Sequence, residues 1–169
     1  SFYRKSLNRF VQVFQGQLVQ EQVPVEIRLY PSESLKRISK DGKFFEDHLL
    51  YTTKLQTFLN QQHPDLFCRI HAIYSRKIGI DPKDRDLYVF YEVLGPDWVN
   101  LKDYISSTGG LVKIPFLVTS NSLFHVIKYW FQKILAIVDV VNQNSASCYI
   151  ISPDNFYVNH KTLELRMKS

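Results

Sequence analysis

The sequence predicts an α+β fold in two parts: a strand-rich first half carrying one helix, then a helical second half. Three observations predict it. Apolar and polar residues alternate at 10–20 (FVQVFQGQLVQ), which argues for a strand or hairpin, and at 23–30 (VPVEIRLY), and two more strands are read near 67–75 and 87–94. From 42 to 60 the apolar spacing changes to steps of three and four through Phe45, Leu49, Thr52, Leu55 and Leu59, the pattern of an amphipathic helix. Beyond Gly95 and Pro96 the alternation stops, and the most apolar helix of the chain runs from a cap at Ser120 or Asn121 to about Asn142.

Each element has its own warrant. Val11, Val13 and Phe14 give the first strand its branched and aromatic side chains. Pro31 and the serines after it end the second, because proline cannot donate to a ladder. The charged stretch SRKIGIDPKDRD (75–86) is read as the loop between the third and fourth strands. A short helix is expected over 99–106, then a glycine-containing loop to Ser120. In the long helix Phe124, Ile127, Phe131, Ile134, Val138 and Val141 fall on one stripe, which is expected to be buried. Further apolar residues flank it, implying burial on more than one side and a face that needs cover. Short β runs close the chain at 148–151, 156–158 and 163–167, the last two around the turn Asn159-His160-Lys161-Thr162. The expected organisation is a first lobe over 1–94, a hinge at 95–98 and a second lobe over 99–169.

Composition excludes several classes. Of 169 residues, 45% are apolar and 22% charged, a globular balance able to build a core. The net charge of +5 admits a nucleic-acid binder, but the basic groups are small and interleaved with acids. A solvated, mildly basic surface is the reading taken, so nucleic acid is not the expected partner. Cys68 and Cys148 form no CxxC pair and are read as reduced thiols of an intracellular protein, cytoplasmic or nuclear. The five histidines show no metal-ligand spacing. No membrane span and no secretory signal are expected.

Four segments, in order, resemble a protein kinase. VPVEIR (23–28) stands where kinases have the strand ending in Val-Ala-Ile-Lys. QQHPDLFCRI (61–70) is similar to the His-Pro-Asn-Ile turn after the regulatory helix. LYVFYEVLGPDWVNLKDYI (87–105) is similar to the last small-lobe strand, the hinge and the helix after it. FQKILAIVDVVNQNSASCYIISPDNFYVNHKTLELRM (131–167) resembles the stretch from before the catalytic loop to the strand preceding the metal-binding tripeptide. The resemblance implies a two-lobe kinase-like fold: a small β-rich lobe with one regulatory helix, and a truncated helical lobe ending before the activation segment.

The same resemblance puts the chemistry under test. The three glycine positions of the phosphate-covering loop hold Ser6, Asn8 and Val11; the nearby Gly16 lies in the following strand, where it permits close packing. The phosphate-positioning lysine becomes Arg28, a longer planar fork. Its glutamate partner, nine residues before His63, becomes Lys54; Glu46 and Asp47 lie about two turns earlier. Anchored on Pro153 and Asn155, the His-Arg-Asp positions become Cys148, Tyr149 and Ile150, and Ile150 cannot accept a proton. The lysine after them becomes Ser152, while Asn155 matches the residue that holds a second metal ion, a vestige read first as a turn residue after Pro-Asp. The metal-binding tripeptide falls near Met167, Lys168 and Ser169, without a carboxylate.

The resemblance therefore implies a pseudokinase: a scaffold or allosteric regulator without phosphotransfer. Its partners would be proteins, such as an active kinase or a large assembly. No cofactor and no metal are expected, and the hinge residues Glu92, Val93 and Leu94 are a vestigial adenine site at most. Phe90, Tyr91 and Trp98 are read as core packing rather than a stacking site. Two alternatives stand beside this reading. One is a divergent ATP-binding kinase of low activity that uses Arg28 and Asn155 with Asp154 or Glu164 as displaced acids. The other is a basic interaction domain in an assembly or on nucleic acid.

Overall fold

Alternation in the first half is realised as a sheet in the computed structural model, which describes residues 11–38, 43–81, 84–107, 120–144 and 152–168. The described residues fall into two units. The first takes in the chain up to Phe58 together with Arg69–Val93. The second takes in Leu59–Cys68 and the chain from Leu94 onward.

In the first unit, β1 (Gln12–Leu18), β2 (Val23–Tyr30), β3 (Ile70–Lys77) and β4 (Arg85–Glu92) form one antiparallel sheet in the order β1-β2-β4-β3. The loop expected over 75–86 is shorter than its charged composition suggested, because Ser75–Lys77 still pair with Arg85–Leu87. The pleat separates two rows of side chains. Val13, Arg28, Val89 and Ile73 stand in one register, and Phe14, Ile27, Phe90 and Ala72 in the next. Gly16 lies under Ile27: an added Cβ would meet Ile27 Cδ1 at 3.0 Å.

The core of this unit joins Tyr30, Ile70, Leu87, Val89 and Tyr91 of the sheet to Leu35, with Leu49, Leu50 and Val11 packed against them. Leu35 belongs to α1 (Ser32–Ile38), a helix the sequence reading did not foresee. Pro31 is marked as a strand stop by the sequence pattern. It also starts a helix: its carbonyl accepts the Ser34 and Leu35 amides at 3.0 Å each, and Glu33 stands in the first turn. Asp86 fixes the entry by accepting the Ser32 amide at 2.9 Å.

The regulatory-position helix, α2 (Lys43–Gln62), forms as expected, but its inward face is turned relative to the expected stripe. Thr53, Gln56 and Leu59 are buried, whereas Thr52 and Leu55 are half-buried. Thr53 can enter the interior because its hydroxyl donates to the Leu49 carbonyl at 2.6 Å, so nothing polar is left unpaired.

In the second unit, β5 (Trp98–Asn100), β6 (Phe156–Asn159) and β7 (Leu165–Met167) form an antiparallel sheet in that order. α3 (Leu101–Ser107) starts later than expected, since Asn100 Oδ1 caps the Lys102 amide at 3.0 Å and Trp98–Asn100 pair with β6. Leu66 and Cys68 bond to β7: the Met167 amide donates to the Leu66 carbonyl and the Cys68 amide to the Met167 carbonyl, both at 2.8 Å. The 148–151 run lies outside the described residues.

The long helix α4 (Ser120–Gln143) corrects the expected stripe. Val126, Trp130, Ile137 and Val141 are the buried set, while Phe124 and Phe131 are 63% and 60% exposed. Two apolar stripes run along this helix, and period alone does not choose between them. Trp130 chooses: its indole Nε1 donates to the Leu163 carbonyl at 2.9 Å and its ring meets Tyr104 edge-on at 6.2 Å. Among the described residues no helix is long and apolar enough to cross a membrane.

Candidate functional site

Each unit carries its own group of candidate residues, and the group in the first unit is built on β2. Residues two apart on a strand share a face, so Glu26 and Arg28 project together, and the ladder sets Tyr91 opposite Glu26. The geometry follows. Arg28 Nε lies 2.9 Å from Glu26 Oε1, and the guanidinium stands 4.6 Å from the Tyr91 ring centroid. The cation is thus half-buried, ion-paired along its own strand and stacked on an aromatic face.

Lys54 is exposed on α2, and so is Asp47. The polar residues that α2 turns inward are Thr53 and Gln56, which the sequence reading missed. A polar pair interrupting an apolar helical face, with no charge to neutralise, was the available signal. Val11 packs against the core of the unit, whereas Ser6, Asn8 and the Glu46 side chain lie outside the described residues.

At the end of β4, Glu92 is engaged twice. Its amide donates to the Arg69 carbonyl at 3.0 Å, and its Oε1 accepts the Arg69 amide at 2.7 Å. Val93 is exposed and closes the first unit; Leu94 opens the second. Tyr91 is core, and Phe90, its neighbour along the strand, projects from the opposite face of the sheet. In the second unit the Gly95 carbonyl accepts the Trp98 amide at 3.0 Å, and Trp98 lies under the Arg166 guanidinium at 5.1 Å.

The candidate group in the second unit is the turn Ser152–Asn155, a single 3-10 turn at Pro153–Asn155 that leads into β6. It is heavily tied down. The Asn155 amide donates to the Ser152 carbonyl at 2.8 Å, and the Ser152 hydroxyl lies 3.3 Å from Asp154 Oδ2. Lys102 Nζ reaches Asp154 Oδ1 at 3.3 Å, and Asn100 Nδ2 donates to the Asp154 carbonyl at 2.7 Å. Asn155 joins the turn to the end of β7 through its carbonyl, which accepts the Lys168 amide at 2.8 Å.

Met167 is 1% exposed and Lys168 3%. The Lys168 ammonium stands 5.4 Å from the Tyr157 ring centroid. Glu164, by contrast, is exposed in the β6–β7 turn and accepts the Thr162 hydroxyl at 3.1 Å. Asn159 Oδ1 holds that turn by accepting the Lys161 and Thr162 amides at 2.9 and 3.0 Å. Among the described residues no group of three or more His, Cys, Asp or Glu is placed to hold a metal ion. Cys148, Tyr149, Ile150 and Ser169 lie outside the described residues.

No family model and no curated protein matches the sequence. Solved structures do match the fold. Rad53 in complex with AMP-PNP aligns with a TM-score of 0.61 at 15% identity, over 95% of this chain and 34% of that one. The MAP kinase LmaMPK10 from Leishmania major aligns with a TM-score of 0.52 at 15% identity, over 94% of this chain and 41% of that one. The fold is kinase-like. The chain spans about a third to two fifths of the length of these two proteins.

Within the kinase-like fold, Arg28 holds the strand position at which the sequence resemblance places the phosphate-positioning lysine. Here its local partners are an anion on its own strand and an aromatic ring. Replacing it (Arg28→Ala) is expected to cost about 1–2 kcal/mol, since a stacked cation is lost and Glu26 is left without that partner. Urea unfolding of the two proteins measures it. A variant as stable as the parent would mean that the stack contributes nothing.

Proposed function

We propose that this chain is a kinase-like module that binds other proteins and does not transfer phosphate. One observation carries the reading. Met167 and Lys168, at the positions where the sequence resemblance implies a metal-binding carboxylate, are both buried: a thioether with no affinity for Mg²⁺, then a cation that repels it. Phosphoryl transfer depends on positioning and on metal-assisted stabilisation of charge, so a site without that carboxylate loses its main electrostatic contribution.

Two further features support the reading. Arg28 is engaged by Glu26 and Tyr91 in its own unit, and the exposed Lys54 replaces the expected glutamate partner. Asp154 and Glu164, the displaced acids of a divergent kinase, have structural work: one braces a turn against Lys102, the other sits in an exposed hairpin. AMP-PNP binds Rad53; for this chain the proposal is that ATP with Mg²⁺ is not a ligand. Thermal-shift titration tests it. The melting midpoint should stay flat as ATP rises, with and without Mg²⁺, and incubation with labelled ATP should leave the chain and a generic substrate unlabelled. A saturating, Mg²⁺-dependent rise in the midpoint would overturn the proposal and restore the divergent kinase.

A further inference from the structure

The outer edge of the first unit's sheet offers an unpaired strand. β3 ends the order β1-β2-β4-β3, so among the described residues no strand pairs with its far side. The Ile78 amide donates to the Asp84 carbonyl at 2.9 Å, continuing the β3–β4 ladder by one step. Bonded pairs alternate along an antiparallel ladder. Counting back from Ile78, the backbone groups of Arg76, Tyr74 and Ala72 face β4, and those of Lys77, Ser75 and Ile73 face outward. An eight-residue strand without proline or glycine, whose outward amides and carbonyls pair with no described strand, is a template for another strand.

Charge restricts what that edge accepts. From Arg69 to Ile80 there is no carboxylate, and Arg69, Arg76 and Lys77 are exposed. His71 does not add to them. Burial first, and then the Arg69 guanidinium, pushes its imidazole below the ordinary pKa, against the opposite pull of Glu21 and Glu92. Carboxylates on the neighbouring strand have other partners: Glu92 accepts the Arg69 amide, Asp86 accepts the Ser32 amide while standing opposite Arg76, and Asp84 pairs with Lys36. Lys77 stands opposite Arg85, which sets two cations side by side across the ladder.

A second copy of this chain is a poor occupant. Laid antiparallel, a copy of β3 brings Arg69 against Arg76 and Lys77; laid parallel, it puts each cation beside its twin. Beside the edge, Tyr74 and Ile78 are exposed and Ile80 is 98% exposed, leaving apolar contacts for an incoming chain.

We propose that the outer edge of β3 takes up an extended, acidic segment of a partner protein as an added strand, with Ile78 and Ile80 meeting its apolar side chains. This names a partner class for the binding role proposed above and rests on it. A fluorescein-labelled peptide of about ten residues alternating Glu and Val is the probe, with the matching Lys–Val peptide as control. The Glu–Val peptide should bind saturably and protect the amides of 73, 75 and 77 from hydrogen exchange. Reversing two exposed charges (Arg76→Glu with Lys77→Glu) should weaken it about tenfold or more and favour the Lys–Val peptide. Ser75→Pro removes an outward amide and should abolish binding; the charge reversal still reads out even where the proline variant loses its fold. Absence of binding, equal binding of both peptides, or protection confined to other segments would overturn the proposal. The ATP titration reads separately. A chain that binds both peptide and Mg²⁺-ATP refutes only the absence of phosphotransfer chemistry, and one that binds neither refutes only the β3 edge.

Discussion

Trp130→Ala is expected to destabilise the second unit by about 3–5 kcal/mol, the cost of emptying a buried indole site. The residue is 4% exposed, so truncation leaves a cavity that a helix gripped along one stripe cannot collapse into. Two further contacts go with the ring. The Leu163 carbonyl loses its 2.9 Å donor, and Tyr104 loses its edge contact. Leu163 is one of the two described non-glycine residues with positive φ, at 64°, and the indole bond supports that strained turn. Trp130→Phe separates the contributions: it keeps most of the packing and loses the hydrogen bond, for about 1–2 kcal/mol. Urea unfolding followed by circular dichroism measures both. Equal losses for the two variants would mean that the hydrogen bond, and not ring volume, holds α4 in place.

Installing the carboxylate that a kinase would need is expected to damage the fold rather than restore a metal site. Met167→Asp places an acid where the side chain is 1% exposed and where Leu66 and Cys68 bond the backbone on both sides. Burial disfavours the charged form, so the new group is either ionised without adequate solvation or protonated and poorly hydrogen-bonded. The expected cost is about 3–5 kcal/mol, the range for an uncompensated buried charge. Met167→Leu is the control, and a volume-conserving exchange should cost under about 1.5 kcal/mol. Melting each variant with and without Mg²⁺ decides the matter. If Mg²⁺ recovers most of the stability of Met167→Asp, the site retains metal-binding geometry and the proposed loss of function is wrong.

The elements legible in the sequence are those whose bounds are set by local signals, a change of period or a proline. The bounds of β2 are legible to the residue, since VPVEIRLY lies between a polar break and Pro31, but its faces are not: Val25 and Tyr30, on opposite faces, are both buried, and Arg28 stands opposite the buried Val89. The extents of α2 and α4 were likewise readable from their spacing. Rotation was not. Thr53 is buried because its hydroxyl is satisfied inside the helix, and α4 is set by an indole bond to a carbonyl 33 residues away. α1 was missed because Pro31 is compatible with both a strand end and a helix start. β5 was missed because three residues pair only once β6 lies beside them.

The candidate site divides in the same way. Residue identity at Arg28, Lys54, Ser152, Asn155 and Met167 is legible in the sequence alone, as is the absence of an acid at Met167–Ser169. Their environments are not. The Glu26–Arg28–Tyr91 stack needs the β2–β4 register, and Lys102 beneath Asp154 needs α3 and the 3-10 turn to be brought together.

By itself the sequence determined which residues are present to do chemistry, the α+β character of the chain and the order of its main elements, because local period and side-chain type are properties of short segments. Only the tertiary structure decided which helix faces point inward, which ring Arg28 stacks on and how deeply Met167 is buried. Those depend on contacts between segments far apart in the chain, and the free energy of such a contact is not encoded in either segment alone.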